Sequence, residues 1–143
     1  MFVMNSWLFK MMLALLILTP GISCRKDKQG PIIQYVKVNI TLLPNSIDYL
    51  PVSEWYYVSG GYRGLIVYRM TEDEFMAYER TCPYDPDKAS ARVEVESSGI
   101  IAVDSTCGSR FVLTDGSPIK GPSGLPLQQY QTSFDGNQLR IYN

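Results

Sequence analysis

Three cysteines, Cys24, Cys82 and Cys107, are the soft donors of this chain, and it contains no histidine. Without an imidazole, neither a Ser-His-Asp nor a Cys-His nucleophilic site can be built. No C-x-x-C motif is present, so nothing in the spacing marks a thiol of lowered pKa. Among the carboxylates, Asp85, Asp87 and Asp104 lack the spacing of a calcium loop. Glu94 and Glu96 fall two apart on one face of a strand pattern, and an exposed face explains them better than a general acid–base pair.

The first cysteine belongs to a different context from the other two. "MFVMNSWLFKMMLALLILTPGISC" has one basic residue, Lys10, before an apolar run from Met11 to Leu18. A membrane-spanning helix needs about 20 apolar residues, so this run fits the h-region of a secretory signal. It leads into Cys24 through Pro20-Gly21-Ile22-Ser23 and resembles a bacterial lipoprotein signal. Ser23 fits that pattern; Gly21 stands where leucine is usual. The resemblance implies lipidation of Cys24, which becomes the first residue of the mature protein and contacts the membrane through its lipid. A plain cleaved signal and an uncleaved anchor are the alternatives. The expected organisation is a signal peptide over 1–23, a charged lipidated tether over 24–31 and one domain over 32–143. The protein would sit in the cell envelope and face the periplasm. Arg25 after the cysteine, in place of the aspartate associated with inner-membrane retention, favours the outer membrane.

With Cys24 carrying lipid, Cys82 and Cys107 remain as an even pair in an oxidising compartment, where a disulfide is expected. Closing that loop would contribute roughly 3 kcal/mol in the chain-entropy model.

The elements that must position these residues read as β throughout. The 143 residues suit one domain. They are 45% hydrophobic and 12% aromatic, with 10 tyrosines, 11 glycines and 9 prolines, a composition of strands and turns. The 13 basic and 14 acidic residues are balanced, and the scattered basic ones leave no nucleic-acid footprint. "QYVKVNITLL" alternates, with Val36, Val38, Ile40 and Leu42 on the core side. "WYYVSGGYRGLIVYRM" holds two strands around Gly60-Gly61, the second a continuous apolar run that predicts burial on both faces. "TEDE" is a hairpin tip and "FMAYER" a strand, with Phe75, Ala77 and Glu79 on one side. "TCPYDPDKAS" is a loop. "RVEVES", "IIAVDS" and "FVLT" are further strands, "PIKGPSGLP" is a loop, and "LQQYQTSF" and "QLRIYN" form a closing hairpin. About nine strands and an all-β fold result.

Two of these loops carry a family resemblance. "TCPYD" and "DSTCGSRFVLTDGSPIKGPSGLPLQQY", with the preceding "GLIVYR" and the terminal "GNQLRIYN", resemble a Rieske domain. That family holds a two-iron cluster on a C-x-H loop and a C-x-x-H loop. The resemblance implies small antiparallel sheets with two loops meeting at one tip. The vestigial cluster positions would be Cys82 at the first cysteine, Tyr84 at the first histidine, Asp104 at the second cysteine and Cys107 at the second histidine.

The residue types at those positions work against the family's cofactor. A Rieske cluster needs two imidazoles on one iron, which a chain without histidine cannot supply. Carboxylate and phenolate are hard donors, poorly matched to an iron–sulfide cluster. The expectation is therefore no [2Fe–2S] cofactor. Both loops lying at one tip would let Cys82 and Cys107 approach. The leading functional reading is a non-enzymatic structural or interaction module with an envelope protein as partner. The alternatives are an electron-transfer Rieske protein with an oxidoreductase role, or a redox-active disulfide protein. Tyr84 and Arg110 are the candidate contact residues of the tip, and the loop of Gly121-Pro122, Gly124 and Pro126 is expected to cover it.

Overall fold

A computed structural model describes residues 33–45 and 49–143. The signal, Cys24 and the tether lie outside the described residues. Ten strands form: β1 (Asn39–Leu42), β2 (Trp55–Val58), β3 (Leu65–Arg69), β4 (Phe75–Glu79), β5 (Glu94–Val95), β6 (Ile101–Val103), β7 (Arg110–Val112), β8 (Pro118–Lys120), β9 (Gln129–Phe134) and β10 (Leu139–Tyr142). The fold is all-β, and among the described residues no helix is long and apolar enough to cross a membrane.

The strands make two antiparallel sheets. One has six strands in the order β1-β10-β9-β4-β3-β2; the other has four in the order β5-β6-β7-β8. The continuous apolar run of β3 is buried at every position, because both faces of its sheet are covered. Leu65 and Val67 join a core with Phe75, Ala77, Tyr130, Leu139 and Ile141. Ile66 and Tyr68 point into a second core with Tyr78, Cys82, Val93, Ala102, Phe111 and Leu113, where the small sheet packs. The period of two along each strand assigns neighbours to opposite cores.

Two differences from the sequence pattern have local causes. The alternation of 34–43 yields a strand only at 39–42, where β10 offers partners from Tyr142 to Leu139. Alternation still governs burial upstream: Val38 is buried while Tyr35 and Lys37 are exposed. "PIK", expected as loop, is the short edge strand β8, with Phe111 facing Pro118 and Arg110 facing Lys120. Proline is tolerated there because an edge strand has one side that needs no donor.

The hairpin of β3 and β4 spans the middle of the six-stranded sheet. It turns through Thr71, whose Oγ1 accepts the amides of Asp73 and Glu74. At its far end β4 runs directly into the loop of Cys82, so the sheet fixes where that loop begins.

Candidate functional site

Two loops and a covering segment converge on Cys82 and Cys107. The first loop follows β4. Its base is closed by a bridge between Thr81 and Arg92 and by the Cys82 amide donating to the Ala91 carbonyl at 3.0 Å. Its interior carbonyls are gathered by Arg63: Nη1 donates to Ala91 at 2.9 Å and to Lys88, and Nη2 donates to Pro86 at 2.8 Å. The second loop joins β6 to β7. The Gly108 amide reaches back to the Asp104 carbonyl at 2.7 Å, and the Asp104 amide donates to Ser109 at 3.0 Å. Gly108 adopts φ +80° with open space around its missing side chain, so its requirement for glycine is conformational. The loops are tied to each other where Thr106 Oγ1 donates to the Ser90 carbonyl at 2.9 Å. The segment after β8 covers them, as the Ser123 amide donates to Ser109 Oγ at 2.9 Å.

At the centre are two sulfurs and a carboxylate. The Sγ atoms of Cys82 and Cys107 lie 3.8 Å apart, and both thiols are free. A bond would need about 2.05 Å, so the expected disulfide is present as an adjacent dithiol. Asp104 is fully buried. Its Oδ1 accepts the Thr106 amide at 2.8 Å, and its Oδ2 lies 3.2 Å from Cys107 Sγ. Cys107 Sγ is also 3.1 Å from Ser109 Oγ and accepts the Ser109 amide at 3.4 Å. The ligand atoms of Cys82, Asp104 and Cys107 all fall within 4.8 Å of one another. Burial pushes the Cys82 thiol well above its ordinary range; the Tyr84 amide opposes that shift, while Asp104 and Cys107 add to it.

The sequence-derived positions therefore separate into two groups. Cys82, Asp104 and Cys107 come together. Tyr84 follows Cys82 in the same loop and is exposed. Arg110 starts β7 and pairs with Glu96, so its charge is already engaged. Glu94 meets Arg80 and Arg92 at the surface, in keeping with a solvated face.

Sequence reasoning assigned no role to Ser109, Arg63 or Glu79. Glu79 is fully buried and accepts five hydrogen bonds: from the amides of Tyr62, Arg63 and Thr81, from Thr81 Oγ1 and from Tyr130 Oη. The signal for it was available, since the alternation of "FMAYER" placed Glu79 on the side of Phe75 and Ala77. Gly61 passes so close that an added Cβ would lie 2.4 Å from Glu79 Oε2, which lets the turn wrap the carboxylate.

No family model matches the sequence, and none of the curated proteins matches it. Solved structures do. A chain from the complex of reduced oxygenase and oxidized ferredoxin in carbazole 1,9a-dioxygenase aligns with a TM-score of 0.52 at 19% identity, over 75% of this chain and 94% of that one. The chain has a Rieske-type ferredoxin fold. The ferredoxin of carbazole 1,9a-dioxygenase from Nocardioides aromaticivorans aligns with a TM-score of 0.49 at 17% identity, over 76% of this chain and 98% of that one.

A Rieske-type fold implies a two-iron cluster at the tip, and the donors here do not fit it. Such a cluster takes two thiolates on one iron and two imidazoles on the other. The tip offers two sulfurs in contact, one buried carboxylate and an exposed phenol, and the chain has no histidine. The imidazole-bound iron has no ligands.

Proposed function

We propose that this protein is a lipid-anchored envelope module with a Rieske-type domain that works without a cluster. It acts as a structural or interaction part of an assembly, with an envelope protein as its partner. The observation that carries the reading is the tip itself, where two loops meet and bring together Cys82, Asp104 and Cys107 in place of a Rieske ligand set. In an exported chain the two thiols pass two electrons and two protons to a disulfide oxidant and become a Cys82–Cys107 bond. That bond takes over the joining of the loops. Support for the anchor comes from the apolar run of Met11 to Leu18 that leads into Cys24, and support for a role outside catalysis comes from the absence of histidine, which leaves no Ser-His-Asp or Cys-His site.

Purification of the full chain from membranes tests this. The expected protein is colourless, contains no iron, shows no reduced-state EPR signal and yields no free thiol until a reductant is added. Cys24→Ala moves it from the membrane fraction to the soluble fraction. Iron at two atoms per chain would instead establish the electron-transfer alternative, and two free thiols in air would remove the disulfide.

A further inference from the structure

We infer that the reduced tip is a binding site for a single Zn²⁺ ion, held by Cys82 Sγ, Cys107 Sγ and a carboxylate oxygen of Asp104, with water in the fourth position. The inference uses only the dithiol geometry and does not depend on export or on the disulfide.

The distances match a tetrahedral ion. With Zn–S bonds of about 2.3 Å, two thiolates on one zinc stand about 3.8 Å apart; the sulfurs here are 3.8 Å apart. With a Zn–O bond of about 2.0 Å, sulfur and carboxylate oxygen stand about 3.5 Å apart; Cys107 Sγ and Asp104 Oδ2 are 3.2 Å apart. Mere contact between two thiols would give a similar sulfur gap, so the third donor is what singles out a metal. The remaining edge, between Cys82 and Asp104, lies within the 4.8 Å spread of the three donors and tightens on loading.

The hydrogen-bond inventory points the same way. Cys107 sulfur faces Asp104 Oδ2, Ser109 Oγ and Cys82 Sγ together, and with both thiols deprotonated the two sulfurs and the carboxylate form a compact set of donors. A cation between the sulfurs and the carboxylate serves all three donors at once. The supporting shell is in place: Asp104 Oδ1 is held by the Thr106 amide, Cys107 Sγ accepts the Ser109 amide, and Ser109 Oγ is fixed by the Ser123 amide. Partners of this kind orient metal ligands.

The donor set also selects the ion. Two sulfurs and one oxygen are too few and too soft for calcium or magnesium, which take six or more oxygens. Zinc has no geometric preference of its own and accepts mixed sulfur and oxygen ligands, with three protein donors leaving one position for water. Cys107 is half-exposed while Cys82 and Asp104 are buried, so that position opens on the Cys107 side. Binding is balanced by release of the two thiol protons, which Zn²⁺ replaces.

The test is titration of the full-length chain, fully reduced and in detergent, with Co²⁺ as spectroscopic probe and then with Zn²⁺ as competitor. The expected result is one Co²⁺ per chain, a sulfur-to-cobalt charge-transfer band with tetrahedral ligand-field bands, displacement by one Zn²⁺, and about two protons released per metal. Cys107→Ser, at a half-exposed site, abolishes the charge-transfer signal while circular dichroism shows the fold intact. Loss of orienting partners alone costs 10–100-fold in affinity, so Asp104→Asn weakens binding by roughly 100-fold or more. Absence of the band in the reduced wild type, or wild-type affinity in either variant, overturns the inference. Thiol counting on the protein as purified reports separately on the disulfide, so the two readings fail independently.

Discussion

Glu79 shows how one buried carboxylate organises the approach to the tip. Its two oxygens take five donors from three places in the chain: the turn of Tyr62 and Arg63, Thr81 at the root of the first loop, and Tyr130 on β9. Burial, with Glu79 adding to it, raises the Tyr130 phenol well above its ordinary range, so Tyr130 stays a donor. Glu79→Gln replaces one acceptor oxygen with an amide that points its own hydrogens at donors. We expect a loss of about 3 kcal/mol in urea unfolding, with Glu79→Asp recovering only part of it. A loss below about 1 kcal/mol would show that the cluster of bonds is slack. The sequence alone exposed half of this. Alternation placed Glu79 inward, but its five donors come from segments up to 51 positions away, and no local pattern announces them. Cys82, Asp104 and Cys107 were legible because the two loops that carry them resemble the cluster loops of a Rieske domain. Ser109 was not, because its role depends on the Ser123 amide arriving from a third segment.

At the level of loops and turns, Arg63 does for the first loop what strand pairing does elsewhere. Its guanidinium binds the carbonyls of Pro86, Lys88 and Ala91, in a segment whose prolines deny it a ladder. Arg63→Ala should cost about 2 kcal/mol and speed amide exchange between residues 82 and 92, while β9 and β10 exchange as before. Uniform acceleration across the domain would show that Arg63 holds more than the loop. The turns at Asp115 and Asp135 carry an acid response. The Ser117 amide lowers the pKa of Asp115, and the amides of Gln138 and Asn137 lower that of Asp135. A carboxyl whose folded pKa lies below its unfolded value adds stability above the ordinary carboxylate pKa of about 3.9 and loses it as pH falls through the folded value. The melting temperature should therefore decline below about pH 4, and Asp115→Asn with Asp135→Asn should flatten that decline.

Over the whole molecule, the strand order could not be read from the pattern of strands. Alternation fixes which residues face inward, as it did for β1 and β4, and the continuous apolar run marked β3 as buried, but neither signal says which strand lies beside which. The pairing of β1 with β10 rests on residues at opposite ends of the described chain. Asn143 secures it, accepting the Val38 amide at 3.0 Å and donating to the Val36 carbonyl at 2.9 Å. Asn143→Ala should lower hydrogen-exchange protection across β1 by about 1 kcal/mol and leave the four-stranded sheet unchanged.

That pairing, secured by a contact between residues 105 positions apart, constrains the order of events when the polypeptide first emerges from a ribosome. The β3–β4 hairpin and the small sheet can form from neighbours as they appear. Among the described strands β1 pairs only with β10, and closing so long a loop carries an entropic cost that local hairpins avoid. The edge of β9 that β10 will cover stays open only until the next strand of that hairpin follows. The nascent chain thus carries β1 unmatched until β10 arrives, which makes the joining of these two strands the step a chaperone would have to guard.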